Sequence, residues 1–229
     1  MKLFASLLLC FLFIQNTFSQ SINTAQLDSL FNALAKNEVA MGSLAISING
    51  KIQFQKAIGY ANIDSRIPAQ ITTRYRIGSV SKMFTSVMIF QLIEERKLSL
   101  DQKLSQYFPD LPNADKITIS HLLYHRSGLH NYTEGTDFKA WMNKPQTHEH
   151  MLNVMKGLKP DFEPGAQVSY SNTNFLLLSY IIEKVSKMAY AQALSQRITS
   201  KIGLKDTYYG GAIDVQKHES ISYKFGEGT

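Results

Sequence analysis

The sequence of 229 residues contains a single cysteine, Cys10, close to its amino end. One cysteine cannot form a disulfide within the chain, so a small disulfide-stapled domain is excluded and stability has to come from a hydrophobic core. A chain of this length can bury such a core. Beyond residue 20, no segment is long and apolar enough to span a bilayer, so no stable membrane span is expected.

The sequence also lacks the patterns of several functional classes. The formal net charge is +6, but the basic residues are scattered, which favours solubility over nucleic-acid binding. His121 and His125 are spaced i, i+4 but lack the glutamate of the H-E-x-x-H metalloprotease motif. His148 and His150 lie at a polar junction, where we expect them to face water. No serine has glycines at both −2 and +2, which excludes an α/β-hydrolase nucleophile elbow. We therefore expect no metal, no other cofactor and no nucleic-acid partner.

The first residues have the pattern of a secretory signal peptide. Lys2 supplies a positive charge, residues 3–14 form an apolar run, and Thr17-Phe18-Ser19 is a small-x-small cleavage pattern. The apolar run is too short to cross a bilayer. Residues 1–19 are expected to be cleaved, leaving residues 20–229 as a secreted or periplasmic protein. A retained amino-terminal anchor is the alternative.

The remaining chain is predicted to be one domain, without repeats or a low-complexity linker. Residues 24–37 carry apolar side chains at helical spacing and predict an amphipathic helix. The Asn49-Gly50 pair between two alternating runs predicts a β-hairpin. A loop is expected over residues 61–73.

The chain after this loop has helical periodicity. Helices are predicted over residues 76–97, 119–124, 148–158, 174–187 and 189–202. The predicted order is one helix, two strands and then many helices. Because the strands are segregated rather than alternating with helices, the pattern indicates an α+β fold. A lone hairpin is marginally stable, and the chain ends in Ser-Tyr-Lys-Phe-Gly-Glu-Gly-Thr without a finished element. We therefore expect further strands beyond Thr229.

The helix over residues 76–97 has Ser79 at its start and Lys82 in its first turn. A cation is disfavoured at the positive amino end of a helix. One interpretation is that Ser79 caps the helix and Lys82 is a surface residue. The other is catalytic: the helix end and partial burial favour a neutral lysine, which can take the serine proton. Residues 83–93 are apolar nearly all round, so this helix is expected to be buried.

A second candidate element, Tyr170-Ser171-Asn172, lies just ahead of an apolar helix. Tyr170 and Asn172 can be interpreted as a core tyrosine and a helix cap. Alternatively, the Tyr170 phenol shuttles protons near Ser79 and Asn172 binds a substrate amide. Separately, Asn131-Tyr132-Thr133 matches a glycosylation sequon, a common tripeptide that carries little weight.

Ser79-Val80-Ser81-Lys82 followed by Tyr170-Ser171-Asn172 resembles the serine β-lactamase and penicillin-binding protein superfamily. The Y-x-N form is similar to the class C β-lactamase branch, which also holds DD-peptidases, esterases and D-aminopeptidases. His-Arg-Ser-Gly-Leu, at residues 125–129, resembles a loop of the same branch. The likeness runs from about Gly42 to about Tyr209.

This resemblance implies an antiparallel sheet flanked by helices, with a mainly helical subdomain. It implies an exported serine hydrolase, a monomer that acts on a β-lactam, a D-amino-acid peptide, another amide or an ester. Ser79 would be the acylated nucleophile, Lys82 its activator, Tyr170 the proton carrier and Asn172 the residue that orients substrate. Whether Lys82 or Tyr170 is the general base stays open.

The sequence departs from the family at the third motif, (Lys/His)-(Thr/Ser)-Gly on a late strand. Lys224-Phe225-Gly226 lacks the hydroxyl and comes too early. The chain is therefore expected to lack the last three strands of the fold. The alternative to an enzyme is a non-catalytic or truncated penicillin-binding-like module that binds cell-wall peptides without turnover.

Overall fold

The computed structural model describes residues 22–223. The predicted signal peptide and the Lys224-Phe225-Gly226 tripeptide therefore lie outside the described residues. The chain separates into two compact units. One contains the described residues up to Arg76 together with those from Ile213 to Tyr223, and the other is Ile77–Ala212. Among the described helices, none has the length and apolarity needed to cross a membrane.

The first unit contains helix α1 (Thr24–Lys36) and the predicted hairpin. Strands β1 (Gly42–Ile48) and β2 (Lys51–Ile58) pair antiparallel. Asn49 and Gly50 join them with φ angles of 51° and 74°, as a two-residue hairpin turn with both central residues in the left-handed region requires. The predictions of helix α1 and of the hairpin are confirmed.

The prediction of a loop over residues 61–73 is partly wrong. Strands β3 (Tyr60–Asn62), which overlaps its start, and β4 (Ile67–Pro68) form a short antiparallel pair. The chain has little alternation of apolar and polar residues here, so such a short pair leaves no periodic signal in the sequence.

The second unit is mainly helical, and its helices lie close to the predicted ranges, except for the short helix Phe138–Trp141, which the sequence did not predict. They are α2 (Ser81–Glu94), α3 (Ile119–Leu123), α4 (Phe138–Trp141), α5 (His148–Gly157), α6 (Asn172–Ser186) and α7 (Tyr190–Leu194). A π-helical segment, Ser195–Thr199, continues α7. Two differences matter for the site: α6 begins two residues earlier than predicted, and a 3₁₀ turn, Gly78–Val80, precedes α2.

The core of the second unit forms where α2 packs against α6. Met88 and Ile89 of α2 are fully buried, as are Leu177 and Ile181 of α6. This core holds the first turns of both helices in fixed positions, and those turns carry the candidate site residues.

The expectation that α2 is buried all round is wrong for one face. Met83, Val87 and Phe90 are 62%, 47% and 43% exposed. They recur at helical spacing on a single side of α2. Apolar composition on every side of a helix therefore did not ensure burial of every side.

Candidate active site

Ser79 and Lys82 lie at the amino end of α2. Ser79 is the middle residue of the 3₁₀ turn Gly78–Val80, and Lys82 is in the first turn of the helix. Lys82 Nζ donates a hydrogen bond to Ser79 Oγ over 3.1 Å. The Ser79 Oγ also lies 2.7 Å from the hydroxyl of Tyr170. The serine hydroxyl thus contacts two groups that can accept its proton.

Asn172, the first residue of α6, completes the cluster. Its Oδ1 accepts hydrogen bonds from Lys82 Nζ at 2.8 Å and from the Tyr170 hydroxyl at 3.3 Å. The structure therefore brings together all four residues singled out in the sequence. Each of the four hydrogen bonds joins side chains of the second unit.

The alternative interpretations of these residues fit the geometry less well. Ser79 makes no side-chain cap, and it is the Ser81 hydroxyl that donates to the carbonyl of Gly78, over 2.6 Å. Tyr170 is 49% exposed and is therefore not a core tyrosine. Its hydroxyl lies where a substrate can reach it.

The environment of Tyr170 favours the ionised phenol. Partial burial raises the pKa of its hydroxyl, but hydrogen bonding to Lys82 and Ser79 and the positive charge of Lys82 outweigh this and lower the pKa below 10. Lys82 Nζ also lies 4.8 Å from the centroid of the Tyr170 ring. A phenol with a lowered pKa is a better proton acceptor at neutral pH.

His125 supports the cluster, although no spacing pattern in the sequence predicts this role. Its ring lies 4.7 Å from the Tyr170 ring and 5.2 Å from the Phe175 ring. Its Nδ1 accepts the backbone N–H of Ser171 over 3.1 Å, so this nitrogen carries no proton. Burial, and then the charge of Lys82, lower the pKa of His125 and keep the ring neutral at neutral pH. The only hint in the sequence was its place in the His-Arg-Ser-Gly-Leu segment.

A short loop after this segment contacts Asn172 from the other side. Asn131 is 8% exposed, and its Oδ1 accepts the backbone N–H of Asn172 over 3.0 Å. Its Nδ2 donates to Glu134 Oε1 over 2.9 Å. The side chain of the sequon asparagine is thus buried and hydrogen-bonded rather than presented for glycosylation.

The histidines form no metal site within residues 22–223, and no cluster of three or more potential ligands occurs there. His121 caps α3 together with Thr118, and burial, then the charges of Lys103 and Arg126, lower its pKa. His148 lies against the Tyr180 ring, with centroids 3.9 Å apart.

A cavity of about 640 Å³ opens beside Lys82 and Asn172 in the second unit. Its wall combines aromatic side chains, Tyr132, Trp141 and Tyr209 among them, with polar and charged ones such as Lys144 and Glu183. A cavity of this volume is within the range of small-molecule sites, which are usually lined by apolar and aromatic groups. Lys82 lines the cavity and its Nζ lies 3.1 Å from Ser79 Oγ, so the cavity opens next to the candidate nucleophile.

Comparison with known proteins identifies the family of the chain. Residues 27–227 match the family described as Beta-lactamase. Protein flp from Staphylococcus aureus strain MW2 is 30% identical over 205 residues, which are 87% of this chain and 41% of that protein. Penicillin-binding protein 4* from Bacillus subtilis strain 168 is 30% identical over 203 residues, which are 87% of this chain and 45% of that protein. The chain thus spans less than half the length of these relatives.

Solved structures show the same fold. The penicillin binding protein from Bacillus halodurans has a TM-score of 0.72 and 28% identity, over 83% of this chain and 60% of that one. The D-amino acid amidase from Ochrobactrum anthropi SV3, complexed with L-phenylalanine amide, has a TM-score of 0.71 and 26% identity, over 83% of this chain and 54% of that one. These likenesses confirm the predicted α+β fold.

Proposed function

Because the chain belongs to the β-lactamase family, we propose that it is part of an exported serine hydrolase that forms an acyl-enzyme on Ser79. The observation that carries this proposal is the position of the Ser79 hydroxyl, within hydrogen-bond distance of both Lys82 Nζ and the Tyr170 hydroxyl. Export rests on the signal-peptide pattern of residues 1–19. The Y-x-N motif at residues 170–172 favours the class C-like branch of the family.

The first half of the reaction forms the ester. Ser79 Oγ attacks the substrate carbonyl carbon, and its proton passes to Lys82 or Tyr170. The backbone N–H of Ser79 is the proposed donor to the developing oxyanion. When the carbon–nitrogen or carbon–oxygen bond of the substrate breaks, the same proton goes to the leaving amine or alcohol.

The second half reverses these roles. Water attacks the Ser79 ester, and its proton is taken by the group that donated to the leaving group. The proton then returns to Ser79 Oγ as the acid product departs. Tyr170 suits both directions because its pKa is lowered and its hydroxyl touches the serine oxygen.

Amides with an aromatic acyl side chain are the proposed substrate class. The aromatic side chains in the wall of the cavity beside Lys82 support this choice, and so does the likeness to an amidase solved with phenylalanine amide. Esters and β-lactams present the same electrophilic carbonyl, so they remain substrates of the proposed mechanism. No cofactor takes part in it.

A second candidate is a module that binds cell-wall peptides without turnover. One observation favours it: Asn172 Nδ2 already donates to Asn131 Oδ1 and Thr133 Oγ1, at 3.3 and 3.2 Å, so its N–H group is turned toward the protein. A substrate carbonyl could then bind near Ser79 without the amide contact expected from Asn172.

Active-site labelling tests the proposed function. The exported, full-length gene product is treated with a fluorescent fluorophosphonate and with a fluorescent penicillin, and the adduct is located by peptide mass spectrometry. We expect a label on Ser79 that is lost in Ser79→Ala and kept in Ser81→Ala, the neighbouring serine. A label that survives Ser79→Ala would contradict the proposal. A Ser79 label without release of acid from D-phenylalanine amide would favour the second candidate.

A further inference from the structure

The carboxamide of Asn172 has two unlike ends, and its orientation decides what it offers Lys82. The oxygen end accepts hydrogen bonds, whereas the nitrogen end only donates them. In the structure the oxygen end accepts from Lys82 Nζ and from the Tyr170 hydroxyl. The nitrogen end donates to Asn131 Oδ1 and Thr133 Oγ1.

The orientation of Asn131 is fixed by two groups whose hydrogen-bonding roles cannot reverse. The backbone N–H of Asn172 can only donate, so the end of Asn131 that faces it, at 3.0 Å, is the oxygen. The ionised carboxylate of Glu134 can only accept, so the end that faces it, at 2.9 Å, is the nitrogen. Because Asn131 is buried, water competes little for these contacts.

Thr133 passes this orientation on to Asn172. Its hydroxyl donates its single hydrogen to Asn131 Oδ1 over 3.0 Å. The Thr133 oxygen is then available only as an acceptor, and it accepts from Asn172 Nδ2 at 3.2 Å. The nitrogen end of Asn172 is therefore drawn toward residues 131–133, and the oxygen end is left facing Lys82.

We propose that Glu134, Asn131 and Thr133 form an amide clamp that holds the Asn172 carboxamide with its oxygen toward Lys82. The three are positioning residues, since they act on the reaction only through Asn172. The consequence for catalysis rests on the proposed function of Ser79. With the amide reversed, an N–H group would face the amine of Lys82, and Lys82 would lose the acceptor that keeps its Nζ at 3.1 Å from Ser79 Oγ.

The test removes the Thr133 hydroxyl without changing the shape of the side chain. We expect Thr133→Val to slow acylation of Ser79 by roughly ten- to a hundredfold, because Asn172 Nδ2 then keeps only its longer bond to Asn131 Oδ1 and the carboxamide is held less firmly. Thr133→Ser keeps the hydroxyl and should retain most of the rate. The dissociation constant of a non-covalent product, such as D-phenylalanine, should change by less than about threefold in both variants, since the proposed effect is on chemistry rather than on binding.

A double-mutant cycle shows whether the effect passes through Asn172. In an Asn172→Ala background the clamp has nothing to hold, so adding Thr133→Val should change the remaining rate by less than about twofold. An equal loss in both backgrounds would refute the clamp, as would an unchanged rate for Thr133→Val alone. If Thr133→Val fails to fold, Thr133→Ala removes the same hydroxyl without adding bulk and gives the same comparison.

Nuclear magnetic resonance separates the clamp from the proposed function. In ¹⁵N-labelled protein, the side-chain amide of Asn172 should exchange slowly with water in the wild type and in Thr133→Ser, and faster in Thr133→Val. If the wild type is never labelled on Ser79, the proposed function fails while slow exchange still supports the clamp. Equal exchange in the wild type and Thr133→Val would refute the clamp whatever the activity.

Discussion

The ring of Tyr170 lies against the imidazole of His125, with centroids 4.7 Å apart and planes tilted by 34°. The same imidazole accepts the backbone N–H of Ser171 through Nδ1. One side chain therefore supports both the tyrosine ring and the backbone of the next residue. Since the Tyr170 hydroxyl lies 2.7 Å from Ser79 Oγ, the placement of the candidate proton carrier depends on a neutral His125.

We predict that His125 makes the folded protein less stable in acid. Its pKa in the folded state lies below 6.5, so on acidification the unfolded chain takes up a proton first. The stability that the neutral ring provides is present above about pH 6.5 and is lost as the pH falls through the lower, folded-state pKa. Thermal melting between pH 7.5 and pH 5 should therefore show a falling melting temperature.

The matched variant for this prediction is His125→Asn. Asparagine tolerates the left-handed backbone at this position, where φ is 54°, and its side-chain oxygen can still accept a hydrogen bond. It does not titrate, so the melting temperature should depend less steeply on pH. Some slope should remain, because the pKa of His121 is lowered as well. Identical slopes for the wild type and His125→Asn would contradict the prediction.

Tyr170→Phe tests the phenol directly while keeping the ring against His125. If the ionised phenol is the base, kcat/KM should rise with pH along a limb whose midpoint lies below 10, the ordinary tyrosine value. Tyr170→Phe should remove this limb and lower kcat/KM by roughly a hundred- to ten-thousandfold, the usual contribution of general acid–base catalysis. The measurement is a pH–rate profile for both proteins. Retention of the limb in Tyr170→Phe would assign it to another group.

Lys82→Arg distinguishes proton transfer from simple charge. We expect Lys82→Arg to lose acylation about as fully as Lys82→Ala, because arginine keeps the positive charge but does not give up a proton in a protein. Arginine is also bulkier than the lysine that fits between Ser79 and Asn172. Circular dichroism therefore has to show that Lys82→Arg is folded before its rate is interpreted. Stopped-flow acylation rates would contradict the prediction if Lys82→Arg stayed within about tenfold of wild type.

The local part of the site could be predicted from sequence because it depends on one helical turn. Ser79 and Lys82 are three residues apart, and on a helix this spacing alone places the two side chains on the same face. Tyr170 and Asn172 are about 90 residues further along the chain. No local periodicity connects them to Ser79, and it was the resemblance to a family that joined the two motifs.

The supporting residues could not be predicted in the same way. His125 and Asn131 act through contacts with residues more than 40 positions away, and neither has a spacing pattern that signals its partner. The exposed face of α2 escaped prediction for a related reason. The hydrophobicity of Met83, Val87 and Phe90 shows that the helix is apolar there, but burial depends on what the rest of the fold places against each side.

Gly128 provides a stability test of the loop that carries His125 and Asn131. Its φ is +74°, and a Cβ atom added there would lie 1.9 Å from the carbonyl oxygen of Phe162, a backbone atom that cannot swing away. That neighbouring segment is also tied to Gly128 itself, because the Asp161 N–H donates to the Gly128 carbonyl over 2.9 Å. Gly128→Ala should therefore strain both segments.

We expect Gly128→Ala to lower the free energy of unfolding by roughly 2–4 kcal/mol, since it combines an unfavourable φ with a backbone clash. The control is Gly157→Ala at the end of α5, where an added Cβ meets nothing within 4 Å and φ is ordinary. That change should be neutral or stabilise by up to about 1 kcal/mol, because alanine favours the helix. Urea unfolding of the two variants and the wild type measures both effects.

The same strain should affect the site, because it also shifts His125 and Asn131. The acylation rate of Gly128→Ala should therefore fall, while that of Gly157→Ala should not. Wild-type stability in Gly128→Ala would show that the Phe162 segment can move aside and that this loop is not held rigidly.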